Sequence, residues 1–196
     1  KASEVGHRVP LEIACFMMME ICKGLQHAHQ KRDEKGEHLR IVHRDLSSPN
    51  VLVSKAGEVK ITDFGLAKAM THLAETDPGV VKGKFSYLAP EAADGKPVDH
   101  RADVFAAGIC LWEILANRRL FLGKDDVDTV ELVRKAQVPS LSTLNPQVSH
   151  EFERVLDRAL SKDPKKRYTS AQEFGDALAN YLFSNSLKVT SYDLAN

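Results

Sequence analysis

Apolar residues settle into a helical rhythm early in the chain. Ile13, Phe16, Met17, Ile21, Leu25 and Ala28 recur at three- and four-residue steps, which predicts a helix from Leu11 to about Ala28 with one buried face. Pro10 suits the first helical position, where an N–H is not needed for the ladder. The Met17-Met18-Met19 run reads as core filler. From Gln30 to Arg40 the residues turn polar and charged around Gly36, the pattern of an exposed loop. Ile41-Val42, Val51-Leu52-Val53 and Val59-Lys60-Ile61 are short strand-like runs, and the Lys55-Ala56-Gly57-Glu58 turn folds the last two into a hairpin.

Periodicity then lapses from Thr71 to Lys84, a stretch holding Pro78, Gly79 and Gly83; a loop of that length in a compact domain is usually functional or mobile. Ala102 to Ala116 is apolar on nearly every side, as expected of a central buried helix, and Asp103 and Glu113 interrupt it too often for a membrane span. Further helices are predicted over Val127–Ala136, Ser149–Leu160 and Ser170 to about Leu182, the last opened by a Ser170/Glu173 capping box. The expected fold class is mainly α: a helical bundle around a buried central helix, with a small β-hairpin beside polar loops and no internal repeats.

Lys plus Arg and Asp plus Glu both number 27, so no net field would draw the chain to nucleic acid or to an anionic membrane. No apolar run approaches the roughly 20 residues that cross a bilayer, and the first residues do not resemble a signal peptide. The opening Lys1-Ala2-Ser3 has the look of an excised piece. Cys15, Cys22 and Cys110 form no CxxC pair and no metal-ligand spacing, the pattern of small buried side chains in a reducing cytoplasm. His27 and His29 form an HxH, but two histidines without further ligands make a poor metal site.

The candidate chemistry sits in three ordered strings. His43-Arg44-Asp45-Leu46-Ser47-Ser48-Pro49-Asn50 matches the H-R-D-L-x-x-x-N catalytic loop, Asp63-Phe64-Gly65 matches D-F-G, and Ala89-Pro90-Glu91 matches A-P-E. Each alone is weak; in this order, with the first two bracketing a hairpin and a long loop before the third, they are specific. By these motifs the chain resembles the C-terminal lobe of a eukaryotic-type serine/threonine protein kinase over nearly its whole length, residues 1–196, with residues 63–91 as the activation segment.

That resemblance implies ATP and Mg²⁺ as nucleotide and metal, and a protein substrate. Asp45 would orient the attacking hydroxyl and accept its proton, while Asn50 and Asp63 would present oxygens to Mg²⁺. Leu52 would floor the adenine pocket, and His43 and Phe64 would stack in an apolar column between the lobes. Asp103 would accept hydrogen bonds from the catalytic-loop backbone, and Glu91 would pair with Arg167. Arg44 beside Asp45 suggests control by phosphorylation of the activation segment, with Thr76 and Thr71 as candidate sites.

Two departures from the family pattern coincide. Ser47 stands where serine/threonine kinases usually carry Lys, and Lys84 stands where the G-T-x-x-Y-x-A-P-E segment carries Thr. One reading is an exchange, Lys84 supplying the ammonium and Ser47 the hydroxyl beside Asp45; the other leaves Lys84 in solvent. The catalytic loop does not look like that of tyrosine kinases, and HRDLSSPN, the Lys31–Arg40 insertion and KGKFSYLAPE look most like bacterial members of the class. No Gly-rich loop, V-A-I-K lysine or matching helix glutamate occurs in these residues, so the chain is expected to need its own N-terminal lobe as partner and to be inactive without it. An inactive kinase-like regulatory module, or a scaffold that self-associates through its cleft face, are the alternatives.

Overall fold

The computed structural model describes residues 8–64 and 84–195, with Lys84 described by its backbone alone. In chain order the elements are α1 (Leu11–His29), β1 (Val51–Val53), β2 (Val59–Ile61), α2 (Pro90–Ala93), α3 (Arg101–Ala116), α4 (Asp126–Lys135), α5 (His150–Ala159), α6 (Ala171–Ser184) and α7 (Ser191–Ala195). β1 and β2 pair antiparallel with Val51 opposite Ile61, Leu52 opposite Lys60 and Val53 opposite Val59. The fold is thus mainly helical with one small hairpin, as the patterning predicted.

α3 is buried along almost its whole length, from Ala102 and Asp103 to Trp112, Glu113 and Leu115. α1, α5 and α6 pack around it, and α1 also lies against α6 and β2. A helix surrounded this way has no solvent face to leave polar, which explains its unbroken apolar composition. The α1 face differs from the predicted one. Leu11, Ala14, Cys15, Met18, Ile21, Cys22, Leu25 and Ala28 are buried, whereas Ile13, Phe16 and Met17 are only half-buried. The first half of α1 is apolar nearly all round, so periodicity there left the face open and contact with α3 and α6 chose it.

Ile41-Val42 is not a strand; the stretch leads into the turn at His43, whose amide is taken by a side chain rather than a neighbouring strand. The charged loop before it closes on an Arg32–His38 bridge. The predicted capping box at α6 is half realised. Ser170 accepts from the Glu173 amide, but the Glu173 carboxylate reaches back to the Thr169 amide (2.6 Å) and hydroxyl (2.8 Å) instead of Ser170. Asp125 and Ser149 cap α4 and α5 through the amides of Asp128 and Phe152. All three cysteines are free and buried; burial pushes the thiols of Cys15 and Cys110 up to about 12, which leaves them inert.

One ion pair fastens α2 to the rest. The Arg167 guanidinium donates to both Glu91 oxygens, at 2.7 and 2.6 Å. Its remaining N–H groups go to the carbonyls of Ser161 (2.7 Å), Arg101 (3.1 Å) and Lys162 (3.2 Å). Every one of the five donors of the fork is therefore used, and the cation also sits 4.7 Å over the Phe105 ring. Arg167 is buried, so water cannot stand in for a lost partner. The Glu91→Gln variant, which strands this cation, is expected to lose about 3–5 kcal/mol of stability in urea unfolding.

Candidate active site

The site is organised by a carboxylate in the first turn of α3. Asp103, buried to 1% exposure, accepts from the His43 amide at 2.8 Å and the His29 Nε2–H at 2.7 Å on one oxygen, and from the Arg44 amide at 3.0 Å on the other. The N-terminal end of a helix favours negative charge, so the anion is well placed there. Arg44 is held at φ 63°, the left-handed region that a non-glycine residue enters only at a cost. Two successive amides converging on one carboxylate hold that conformation.

His43 carries the order onward. Its ring is buried, with Nε2 3.1 Å from the Thr62 carbonyl and Nδ1 3.3 Å from the Asp45 amide. A carbonyl needs a donor and an amide needs an acceptor, so the ring bears its proton on Nε2. The imidazole also meets the Phe64 ring at 4.4 Å between centroids. One side chain thereby braces the residue at Asp45 and the residue just before Asp63.

The hairpin brings the remaining oxygens to the same end. Val51 opposite Ile61 sets the register, and the Thr62 amide extends the ladder to the Asn50 carbonyl at 2.9 Å. Asn50 and Asp63 therefore flank the open end of one two-stranded ribbon. The Asn50 amide nitrogen donates to the Asp45 carbonyl at 2.7 Å, which leaves its side-chain oxygen as the free donor atom for a metal. Asp63 is exposed and sits at φ 58°. Among the described residues no group of three or more His, Cys, Asp or Glu side chains forms a metal site. An amide oxygen and one carboxylate do fit magnesium, which keeps phosphate and water oxygens as its other ligands.

Of the other predicted site residues, Leu52 lies exposed on β1 and Arg44 is exposed beside Asp45. Ser47 is half-buried ahead of the short turn at Ser48–Asn50, where its side chain makes no capping bond. The Lys84 side chain, Thr71 and Thr76 lie outside the described residues. Glu91, Arg167 and Asp103 make the contacts anticipated for them.

Sequence reasoning missed two features. His29 was weighed with His27 only as a poor metal site, yet it binds Asp103; its position four residues after Leu25 and seven after Cys22 put it on the buried face of α1. The second is a polar cluster under the 84–90 segment. Tyr87 Oη lies 2.8 Å from Glu113 Oε2 and 3.2 Å from Ser48 Oγ, and Arg119 Nη1 donates to the same phenol oxygen. Arg119 Nη1 also reaches Glu113 Oε2 at 3.2 Å, its guanidinium stacks 5.1 Å from the Tyr87 ring, and the Leu120 amide donates to Glu113 Oε1 at 3.0 Å. Nothing in the string Lys84-Phe85-Ser86-Tyr87 pointed to this cluster, because its partners come from α3 and the connection after it.

Comparison with known proteins agrees with this geometry. The chain is 40% identical over 181 residues to the "Tyrosine-protein kinase MasK" of Myxococcus xanthus, covering 92% of this chain and 28% of that protein. It is 41% identical over 133 residues to the "Probable serine/threonine-protein kinase PknB" of Lactococcus lactis, covering 68% of this chain and 21% of the relative. With the "Serine/threonine-protein kinase PrkC" of Bacillus subtilis it shares 35% over 160 residues, 82% of this chain and 24% of that one. The chain thus spans about a quarter of the length of these relatives. The family described as "Protein kinase domain" matches residues 4–178, a span that takes in α1, the Asp103-held loop, the hairpin and the Glu91–Arg167 pair, and to that family the chain belongs.

Proposed function

We propose that the protein transfers the terminal phosphoryl group of ATP to serine or threonine hydroxyls of proteins. Asp45 orients the acceptor hydroxyl and receives its proton as the oxygen–phosphorus bond forms and the bond to the departing ADP oxygen breaks. Asn50 Oδ1 and the Asp63 carboxylate hold the magnesium that accompanies the nucleotide; when bound it neutralises charge on the phosphate oxygens. Leu52 meets the adenine ring. Arg44 would pair with a phosphate on Thr76 or Thr71.

The observation that carries this reading is the link between the two loops. His43 bonds both the Asp45 amide and the Thr62 carbonyl, and the Thr62 amide bonds the Asn50 carbonyl. Positioning matters more than covalent help in phosphoryl transfer, so a rigid connection between these residues is what the chemistry asks of the fold. Serine/threonine specificity is supported by the Asp45–Asn50 loop and by the names of PknB and PrkC, while the name of MasK favours tyrosine. Full-length protein incubated with labelled ATP and myelin basic protein is expected to give phosphoserine and phosphothreonine on acid hydrolysis. The Asp45→Asn and Asp63→Asn variants should each lower kcat by at least about 100-fold. Phosphotyrosine as the sole product would refute the acceptor assignment.

Ser47 and Lys84 exchange the roles that the family pattern gives to Lys and Thr, so that Lys84 brings positive charge to the phosphoryl group from the activation segment. Lys84→Ala in the full-length protein should reduce kcat by about tenfold or more; an unchanged kcat would remove this assignment.

The Gly-rich loop and strand lysine that hold the ATP phosphates in the family are not found in the 196 residues. Residues 1–196 expressed alone are expected to transfer no phosphate, and Asp45-dependent labelling by that piece would contradict the expectation.

A further inference from the structure

We propose that Ser48 is a positioning residue: its hydroxyl, through Tyr87 and Glu113, ties the middle of the catalytic loop to the C-terminal half of α3. The inference rests on the transferase reading above and deepens it, because the H-R-D-L-x-x-x-N pattern leaves position 48 open.

The loop has firm mounts at both ends. Asp103 takes the amides of His43 and Arg44, and Thr62 takes the carbonyl of Asn50. Between them, Leu46 is buried, Ser47 makes no side-chain capping bond and Pro49 has no N–H to give. Among the described residues, Ser48 is the one member of the 46–49 stretch whose side chain bonds the 84–90 segment.

The direction of the hydrogen bonds follows from counting protons. Tyr87 has a single phenolic proton, which it directs mainly to the Glu113 carboxylate at 2.8 Å, the stronger acceptor, and also to Ser48 Oγ at 3.2 Å. Arg119 donates to the phenol oxygen. Burial, with Glu113 beside it, raises the Tyr87 pKa, so the phenol stays protonated and remains a donor across neutral pH. Bonds chained in this way polarise one another, and a terminal carboxylate balanced by Arg119 anchors the chain.

Glu113 is itself immobile: it is 8% exposed, its second oxygen is held by the Leu120 amide, and it lies on the same buried helix as Asp103. One rigid helix therefore grips the catalytic loop at two points, residues 43–44 through Asp103 and residue 48 through Tyr87. Asp45 lies between the two grips. Because Tyr87 belongs to the segment running into α2, a shift of that segment reaches the catalytic loop through the Ser48 bond.

The test compares Ser48→Ala and Ser48→Thr with wild type in the full-length protein. Loss of the hydroxyl is expected to lower kcat toward myelin basic protein by about tenfold with the KM for ATP little changed. The melting temperature should stay within a few degrees, since an exposed serine carries little folding energy, and threonine should restore most of the rate. Tyr87→Phe, which keeps the ring but removes the same bond, should lower kcat by a smaller factor in the Ser48→Ala background than in wild type. Independently of turnover, hydrogen exchange of the peptide spanning residues 46–51 should quicken in Ser48→Ala. Unchanged kcat together with unchanged exchange overturns the proposal. If wild type transfers no phosphate, the functional reading fails by itself, and the exchange measurement still decides the tether.

Discussion

A single buried carboxylate governs the geometry of this protein. Asp103 gathers a histidine from α1 and two consecutive backbone amides from the catalytic loop, and in doing so joins the first helix, the central helix and the site. An unpaired charge in such a place would be costly; three well-aligned donors and a helix N-terminus offset that cost. The left-handed backbone at Arg44 is tolerated because the same carboxylate holds it. From there the order passes to His43, and from His43 to both sides of the hairpin. Among the described residues the only regular structure at this loop is the short ribbon and the single 3-10 turn at Ser48–Asn50, so side-chain to backbone bonds do the work that strands do elsewhere.

The scaffold around that carboxylate is built for rigidity. α3 is enclosed by α1, α5 and α6, and close-packed interiors transmit displacement instead of absorbing it. The Glu91–Arg167 pair extends the same rigidity to α2, the helix that follows the 84–87 turn. A buried ion pair adds little net stability compared with an apolar replacement, but losing one partner is severe. Its contribution here is placement: it fixes where the chain running from Phe85 into α2 joins the body of the domain. Tyr87, four residues before Glu91, is bonded to Glu113, Arg119 and Ser48, so two polar clusters hold the same short segment.

Much of this was legible in advance, and the reasons are particular. The enclosed central helix announced itself because a helix packed on all sides must be apolar on all sides. The hairpin was legible from two β-branched runs joined by a turn containing Gly57, which adopts φ 76°. The three motif strings marked the site because their residue types, order and spacing match the family pattern. Errors arose where the local pattern was ambiguous. Ile41-Val42 has strand-like residues but no partner strand among the described residues, and the apolar start of α1 suited several faces equally well. His29 was overlooked because, as a residue, a histidine in a charged helix end says nothing of its partner 74 positions away.

What the sequence determined by itself is therefore the set of local preferences: the extents of the five longer helices to within a residue or two, the cap at Ser170, the hairpin, and the chemical types at positions 45, 50 and 63. Only the tertiary structure decided which polar side chains meet. His29 with Asp103, Arg167 with Glu91, and Ser48 with Tyr87 and Glu113 are pairs separated by long stretches of chain. Periodicity records how much of a residue faces the core; it holds no information about which other residue waits there, and that is settled only when the helices pack.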